Sequence, residues 1–268
     1  PACETLILIG SLRRFTLYAI FPDMYTIDSH SGYLFGTCLD LDPQERNRLF
    51  ALFAKPSERA LGVLNGRARP VLTQIGATDP VIIKYYRRGG MVKHLVKSLY
   101  FRLGKPRPQQ EYEMIAHARS LGISSPEPLL WAIRGILFYE AFLVTRLVKN
   151  HRSFFDVAHQ NPAHCQRIIG RVAAQIDLLI RNRIFHRDLH PGNVLIDENE
   201  RVFIIDFDRA TFTCQHPDKL RIAYLKRWRR VAKKYHLPAN LTEQLADEID
   251  RRAVHHSVRH CSGAGIEG

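Results

Sequence analysis

The chain is poor in cysteine. Cys3, Cys38, Cys165, Cys214 and Cys261 are odd in number, widely scattered and without a C-x-x-C pair. That pattern excludes a disulfide scaffold and a zinc finger, and a reducing compartment is expected. Acidic residues are scarce beside basic ones, 26 against 39, for a net charge of +13 over 268 residues. Such a surplus predicts a polyanionic partner, which on charge alone is nucleic acid, an anionic membrane surface or a phosphorylated substrate. Long hydrophobic runs are missing too. The most apolar stretch, Pro128 to Val148, is broken by Arg134, Glu140 and Arg146, whereas a spanning helix needs roughly 20 mostly apolar residues. Any membrane association is therefore expected to be peripheral. The opening Pro1-Ala2-Cys3-Glu4 has no basic n-region and the run Leu6 to Ile9 soon meets Arg13-Arg14, so no cleaved secretory signal is expected. Internal repeats and low-complexity tracts are absent as well. What remains, 46% hydrophobic and 24% charged, is globular and long enough for one large domain or two lobes.

Glycine and proline divide the chain into periodic segments. Residues 1–60 carry the weakest signal and are expected to form an N-terminal extension of unclear role, with one helix from Pro43 to Ala54 behind Asp42-Pro43. Gly62 to Leu72 predicts two short strands around Asn65-Gly66, and Pro80 to Tyr86 a third, with Lys84 inside a β-branched run. A strand interior rarely carries lysine without reason. Gln109 to Ser120 predicts a helix closed by Gly122. Leu129 to Val148 predicts a hairpin bending at Arg134-Gly135, and Pro162 to Asn182 a helix burying Ile168, Ile169, Val172, Ala173, Ile176, Leu179 and Ile180. Two short strands, Val194 to Ile196 and Val202 to Ile205, precede a mostly helical remainder.

The sharpest pattern is His186-Arg187-Asp188-Leu189-His190-Pro191-Gly192-Asn193, followed by Ile204-Ile205-Asp206-Phe207-Asp208. A turn between Ile196 and Val202 would fold Asp206 back beside Asn193. Two carboxylates and an amide would then converge as hard oxygen ligands and a base, which is what magnesium-nucleotide phosphoryl transfer requires.

His186 to Asn193 matches the catalytic loop H-R-D-x-x-x-x-N in full, and here the chain resembles the protein-kinase-like superfamily. The resemblance implies an α+β, two-lobed fold, with an N-terminal antiparallel sheet lobe at 61–150 and a mainly helical C-terminal lobe at 151–250. ATP would lie between them, beside a hinge near Leu147 to His151, and residues 251–268 would form a flexible tail. Asp188 would act on the acceptor hydroxyl and Asn193 and Asp206 would hold Mg2+. Lys84 would bridge the α- and β-phosphates and pair with Glu111, with Glu113 as substitute. No G-x-G-x-x-G is present, so backbone amides near Gly66 are the candidate phosphate cover. D-F-D in place of D-F-G, and the absence of A-P-E, depart from protein kinases. Tyr85-Tyr86-Arg87-Arg88-Gly89-Gly90, Glu111-Tyr112, Ser125-Pro126-Glu127-Pro128-Leu129 and Ile205-Asp206-Phe207-Asp208 are similar instead to the lipopolysaccharide kinases, which phosphorylate Kdo or heptose. The similarity runs from about Gly62 to Lys234. Kdo kinases often carry H-A-D-L-N where this chain has His186-Arg187-Asp188-Leu189-His190, so both sugars stand as acceptors.

Two acid-free basic stretches flank this core, Lys84 to Arg107 and Lys219 to Lys234. The second is an amphipathic pattern with Leu220, Tyr224, Leu225, Trp228 and Val231 on one face, expected to pack inward and leave a basic face for lipid phosphates. The expected partners are a phosphate-rich glycolipid substrate and an anionic membrane, at the cytoplasmic face of the inner membrane, with no nucleic acid. Two alternatives differ in class: a kinase for protein or a soluble small molecule, and a non-catalytic pseudokinase binding anionic lipid or nucleic acid. The histidines at 186, 190, 255, 256 and 260 lack the H-E-x-x-H pattern and predict no metal site.

Overall fold

A computed structural model describes residues 24–54, 71–75, 80–86, 100–101, 104–135 and 138–262. The chain divides into two compact units, one taking in residues up to Ala116 with Pro128–Arg146, the other His117–Glu127 with Leu147 onwards. The first is rich in sheet and the second mainly helical, the α+β arrangement expected.

In the first unit β1 (Thr26–His30), β2 (Tyr33–Thr37), β3 (Val71–Thr73), β4 (Val81–Tyr85), β5 (Tyr100–Phe101), β6 (Pro128–Arg134) and β7 (Phe138–Arg146) form an antiparallel sheet. Its order is β1-β2-β6-β7-β4-β3, with β5 also on β7. The expected hairpin is β6 with β7, pairing Arg134 with Glu140 beside the bend. Residues 24–54 are no appendage. β2 hydrogen bonds to β6 in the sheet, and the Pro43–Ala54 helix buries Leu49, Phe50 and Phe53 in the same core as Tyr33, Phe35 and Phe142. Phe53 stacks on Phe142 at 4.4 Å, 16° from parallel. The helix starts where Asp42 and Glu45 cap each other reciprocally, Glu45 N–H to Asp42 Oδ1 at 2.7 Å and Asp42 N–H to Glu45 Oε2 at 3.1 Å. The proposed turn at Asn65-Gly66, and most of the basic stretch between Tyr86 and Arg107, lie outside the described residues.

The Arg107–Ser120 helix ends as the sequence requires. Gly122 takes φ +82°, its N–H reaches Arg119 O, and Ile123 N–H reaches Ala118 O. These two bonds satisfy the last carbonyls of the helix and need a residue at ease in the left-handed region.

In the second unit β8 (Arg152–Ser153) pairs with β10 (Val194–Ile196), which also pairs with β11 (Val202–Ile204). β9 (Ile184–His186) pairs with β12 (Ala210–Phe212). Around them the described helices are Phe154–Gln160, Pro162–Arg181, Pro217–Lys234 and Ala239–Ser262. Asn161 caps the second through His164 N–H, and the apolar positions predicted for it are all buried. In Pro217–Lys234, Leu220, Tyr224, Leu225, Trp228 and Val231 face inward, as their spacing predicted. Ala239–Ser262 remains helical past residue 250, where a tail was expected. No described helix is long and apolar enough to cross a membrane.

Two measurements test this packing. A Cβ at Gly36 would sit 2.6 Å from Trp131 Cε2 and from Tyr25 Cδ2. Gly36→Ala is therefore expected to destabilise the chain by about 1–3 kcal/mol in denaturant unfolding; an unchanged midpoint contradicts the β2–β6 register. His117 packs edge-on to Phe212, and burial lowers its pKa below the ordinary 6.5. The unfolded chain then binds the proton more readily than the folded one. This contribution to stability is whole above about pH 6.5 and is lost as pH falls from there through the lower folded pKa. The loss of melting temperature between pH 7.5 and 5.5 should shrink in His117→Phe.

Candidate active site

Each unit positions one group of polar side chains. In the first, β4 is an interior strand between β3 and β7, so its alternation fixes which residues face the core: Val81 and Ile83 are buried, and Lys84 points to the other side, 34% exposed. The Arg107–Ser120 helix brings Glu111, 2% exposed, to its ammonium. Lys84 Nζ lies 2.9 and 2.8 Å from the two carboxylate oxygens. Glu111 Oε2 also accepts a short hydrogen bond from the Tyr86 hydroxyl. The same Tyr86 ring lies under Lys84 Nζ at 5.1 Å and Arg107 Cζ at 5.7 Å. A carboxylate this deeply buried requires such partners, because burial without them is costly. Glu113 is engaged elsewhere, bound by Lys105 at 2.8 Å, Tyr25 Oη at 2.8 Å and Gln109 Nε2 at 3.2 Å. Of the two glutamates named from the sequence, Glu111 is thus the partner of Lys84. Gly66 lies outside the described residues.

In the second unit the loop after β9 is pinned at several points. His186 is buried; its backbone N–H donates to Tyr224 Oη at 2.8 Å, and that hydroxyl donates to Ile184 O at 2.6 Å. His186 Nε2 lies 3.0 Å from Ile205 O and can only donate to it, which assigns the proton to Nε2. Burial lowers the histidine pKa, so the ring is neutral at pH 7. Asn193 Nδ2 donates to Asp188 O at 3.0 Å, and His190 Nδ1 accepts from Gly192 N–H at 3.0 Å. The 3-10 turn Pro191–Asn193 then leads directly into β10.

Ile205 brings the third residue into place. Its N–H donates to Asn193 O at 3.0 Å, and its carbonyl takes the His186 bond. Asp206 follows in the left-handed region at φ 66°, and Phe207 is buried edge-on against His186, 4.8 Å between centroids. A non-glycine residue costs roughly 1–2 kcal/mol there, though aspartate tolerates it better than most. Asn193 and Asp206 are therefore joined through adjacent backbone, with Asp188 at the other end of the same loop. Asp188, about a quarter exposed, meets Arg227 Nη2 at 2.9 Å and Arg209 Nη1 at 3.8 Å.

Sequence reasoning missed the polar contacts of Tyr86, Tyr224, Arg209 and Arg227. Tyr86 stood inside the quoted Tyr85-to-Gly90 segment, and Arg227 inside a basic cluster read as surface charge. Only its position three residues after buried Tyr224 and four before buried Val231 sets Arg227 apart from Lys226.

Residues 53–248 match the model of the lipopolysaccharide kinase (Kdo/WaaP) family. Among relatives, a 3-deoxy-D-manno-octulosonic acid kinase of Vibrio cholerae is 30% identical over 182 residues, 66% of this chain and 75% of that one. One of Photobacterium profundum is 30% identical over 165 residues, 60% and 68% of the two chains. Solved structures with likeness include the MAP kinase LmaMPK10 from Leishmania major, 22% identical, covering 61% of this chain and 50% of that one at a TM-score of 0.41. The Cydia pomonella granulovirus kinase PK-1 is 18% identical, covering 63% and 58%, again at 0.41. With nearly three quarters of its length matched, including Lys84, Glu111 and the whole loop from His186 to Asp206, the chain belongs to the lipopolysaccharide kinase (Kdo/WaaP) family.

Proposed function

We propose that the protein transfers the γ-phosphoryl group of ATP to a hydroxyl of 3-deoxy-D-manno-octulosonic acid (Kdo) in lipopolysaccharide inner core or a lipid A precursor. The observation that carries this reading is the Asp188–Asn193–Asp206 arrangement, held by the bonds from Asn193 to Asp188 O and from Ile205 N–H to Asn193 O. The relatives' acceptor supports Kdo over heptose.

Asp188 accepts or orients the proton of the attacking hydroxyl. Lys84, steadied by Glu111, takes the α- and β-phosphates of the nucleotide as a point charge. The donor set fits magnesium, which prefers oxygen ligands, one or two of them from protein. Asn193 spends its Nδ2 on the loop, which leaves Oδ1 for a ligand, and Asp206 adds a carboxylate. Mg2+ held by these two residues would neutralise charge on the transferring phosphoryl group. Asp188→Ala is expected to lower phosphate transfer from labelled ATP to the lipid acceptor by about 10²-fold or more while nucleotide binding survives. Full turnover by that variant contradicts the assignment.

The Pro217–Lys234 helix supports an anionic membrane as partner. With its apolar face buried, Lys219, Lys226, Arg229, Arg230, Lys233 and Lys234 are exposed beside Ile222, which is 62% exposed. We place this face against anionic lipid at the cytoplasmic side of the inner membrane. A basic residue near such a surface contributes about 1 kcal/mol, so Lys226→Ala and Arg230→Ala should each weaken binding to anionic phospholipid vesicles about fivefold. Added salt should release the protein from vesicles before it weakens ATP binding. Vesicle binding indifferent to both changes contradicts the placement.

A further inference from the structure

Asp188 is one carboxylate facing two guanidinium groups, and the two are held in different ways. Arg227 comes from a helix whose neighbouring turns are buried; its Nη2 is 2.9 Å from Asp188 Oδ1, and its Nε is buried with no hydrogen-bond partner. It is committed to the base. Arg209 closes the short turn Phe207–Arg209, is 64% exposed, and leaves its Nη1 3.8 Å from Asp188 Oδ2, beyond a hydrogen bond.

One cation suffices to hold one carboxylate, and Arg227 does so. Arg209 adds a second positive charge beside the base without spending its donors there. The acceptor hydroxyl must approach Asp188, so any anionic group carried close to that hydroxyl arrives near the Arg209 fork. A guanidinium offers parallel N–H donors that match a carboxylate bidentately, which an ammonium cannot do. The acceptor proposed above is a sugar acid, by the name of the relatives' substrate, and such an acid carries a carboxylate on the same small ring as some of its hydroxyls.

We propose that Arg209 binds the carboxylate of the acceptor sugar and so presents its hydroxyl to Asp188, while Arg227 is a positioning residue that holds Asp188 in place. This rests on the acceptor reading given under Proposed function. It explains why an exposed arginine stands three residues after the candidate metal ligand Asp206, and it assigns recognition of the acid to a residue separate from the base.

The test crosses an enzyme variant with an acceptor variant. Steady-state transfer from labelled ATP is measured for wild type and Arg209→Gln, with lipid-linked Kdo as the free acid and as its methyl ester. In wild type, esterification should raise the acceptor KM about tenfold or more, the scale of one lost charge-assisted hydrogen bond. In Arg209→Gln the free acid should already show that loss, and esterification should change KM by less than about twofold. Arg209→Lys, which keeps charge without the fork, should recover only part of the discrimination. A role confined to folding would lower transfer to acid and ester alike and leave their ratio unchanged, and the unfolding midpoint of each variant reports that directly. Undiminished discrimination in Arg209→Gln overturns the inference, as does a wild type that uses acid and ester equally well. A wild type that phosphorylates neither overturns the acceptor reading and this inference with it.

Discussion

The candidate site depends on the two backbone hydrogen bonds of Ile205. Its N–H holds the Asn193 carbonyl and its own carbonyl holds His186 Nε2, so one residue joins the start of the loop, its end and the strand that returns beside it. Those bonds fix the backbone that leads out of the three-residue strand β11 into Asp206. With them, the left-handed backbone of Asp206 turns its side chain off the strand line while Phe207 goes into the core against His186. The neutral state of His186 belongs to the same device. Burial removes the charge, and the single remaining N–H is the one needed for Ile205.

The other group of polar residues solves the opposite electrostatic problem. Glu111 is buried and ionisable, so its position is affordable only because Lys84 and the Tyr86 hydroxyl both reach it. Lys84 gains direction from this, since a long flexible ammonium arm is held at one end of a strand-fixed stem. Its side chain stays 34% exposed, whereas that of Glu111 is 2% exposed, so the pair is enclosed from the carboxylate side. Tyr86 accordingly acts on Lys84 through Glu111, and its aromatic face gathers two cations, Lys84 and Arg107, at one ring.

Much of this was legible before any coordinates. The Pro43–Ala54 helix, the β6–β7 hairpin and the Pro162–Arg181 helix have strong local signals, a cap or bend that marks a boundary and apolar residues at the right period. Lys84 and Glu111 were readable because a lysine within a β-branched run and a catalytic-loop motif support each other. β1 and β2 were not readable. Thr26–His30 is an exposed edge strand with little alternation, and the pairing that makes β2 part of the sheet is with residues almost a hundred positions later. Nor could spacing along the chain reveal Arg227 or Arg209 on Asp188. Their separations from it, 39 and 21 residues, reflect tertiary placement and no local period.

The basic surplus looks different once its members are sorted by partner. On the Pro217–Lys234 helix, Arg221 meets Asp218 and Asp250, and Arg227 meets Asp188; six other basic side chains face solvent. At 100° per residue one helix can serve three directions, an apolar stripe toward the core, a solvent face of cations, and at their border Arg227. A border position is what a positioning cation needs. Deeper, its desolvation would outweigh its attraction to Asp188, and farther out, water and salt would screen that attraction. The same border explains why mutating the exposed cations and mutating Arg227 are different experiments: the first changes a surface potential, and the second removes the ion-pair partner 2.9 Å from Asp188. Net charge, which first suggested only some polyanion, thus resolves on this helix into a diffuse part facing solvent and a directed part, of which Arg227 meets the loop from His186 to Asn193 at Asp188.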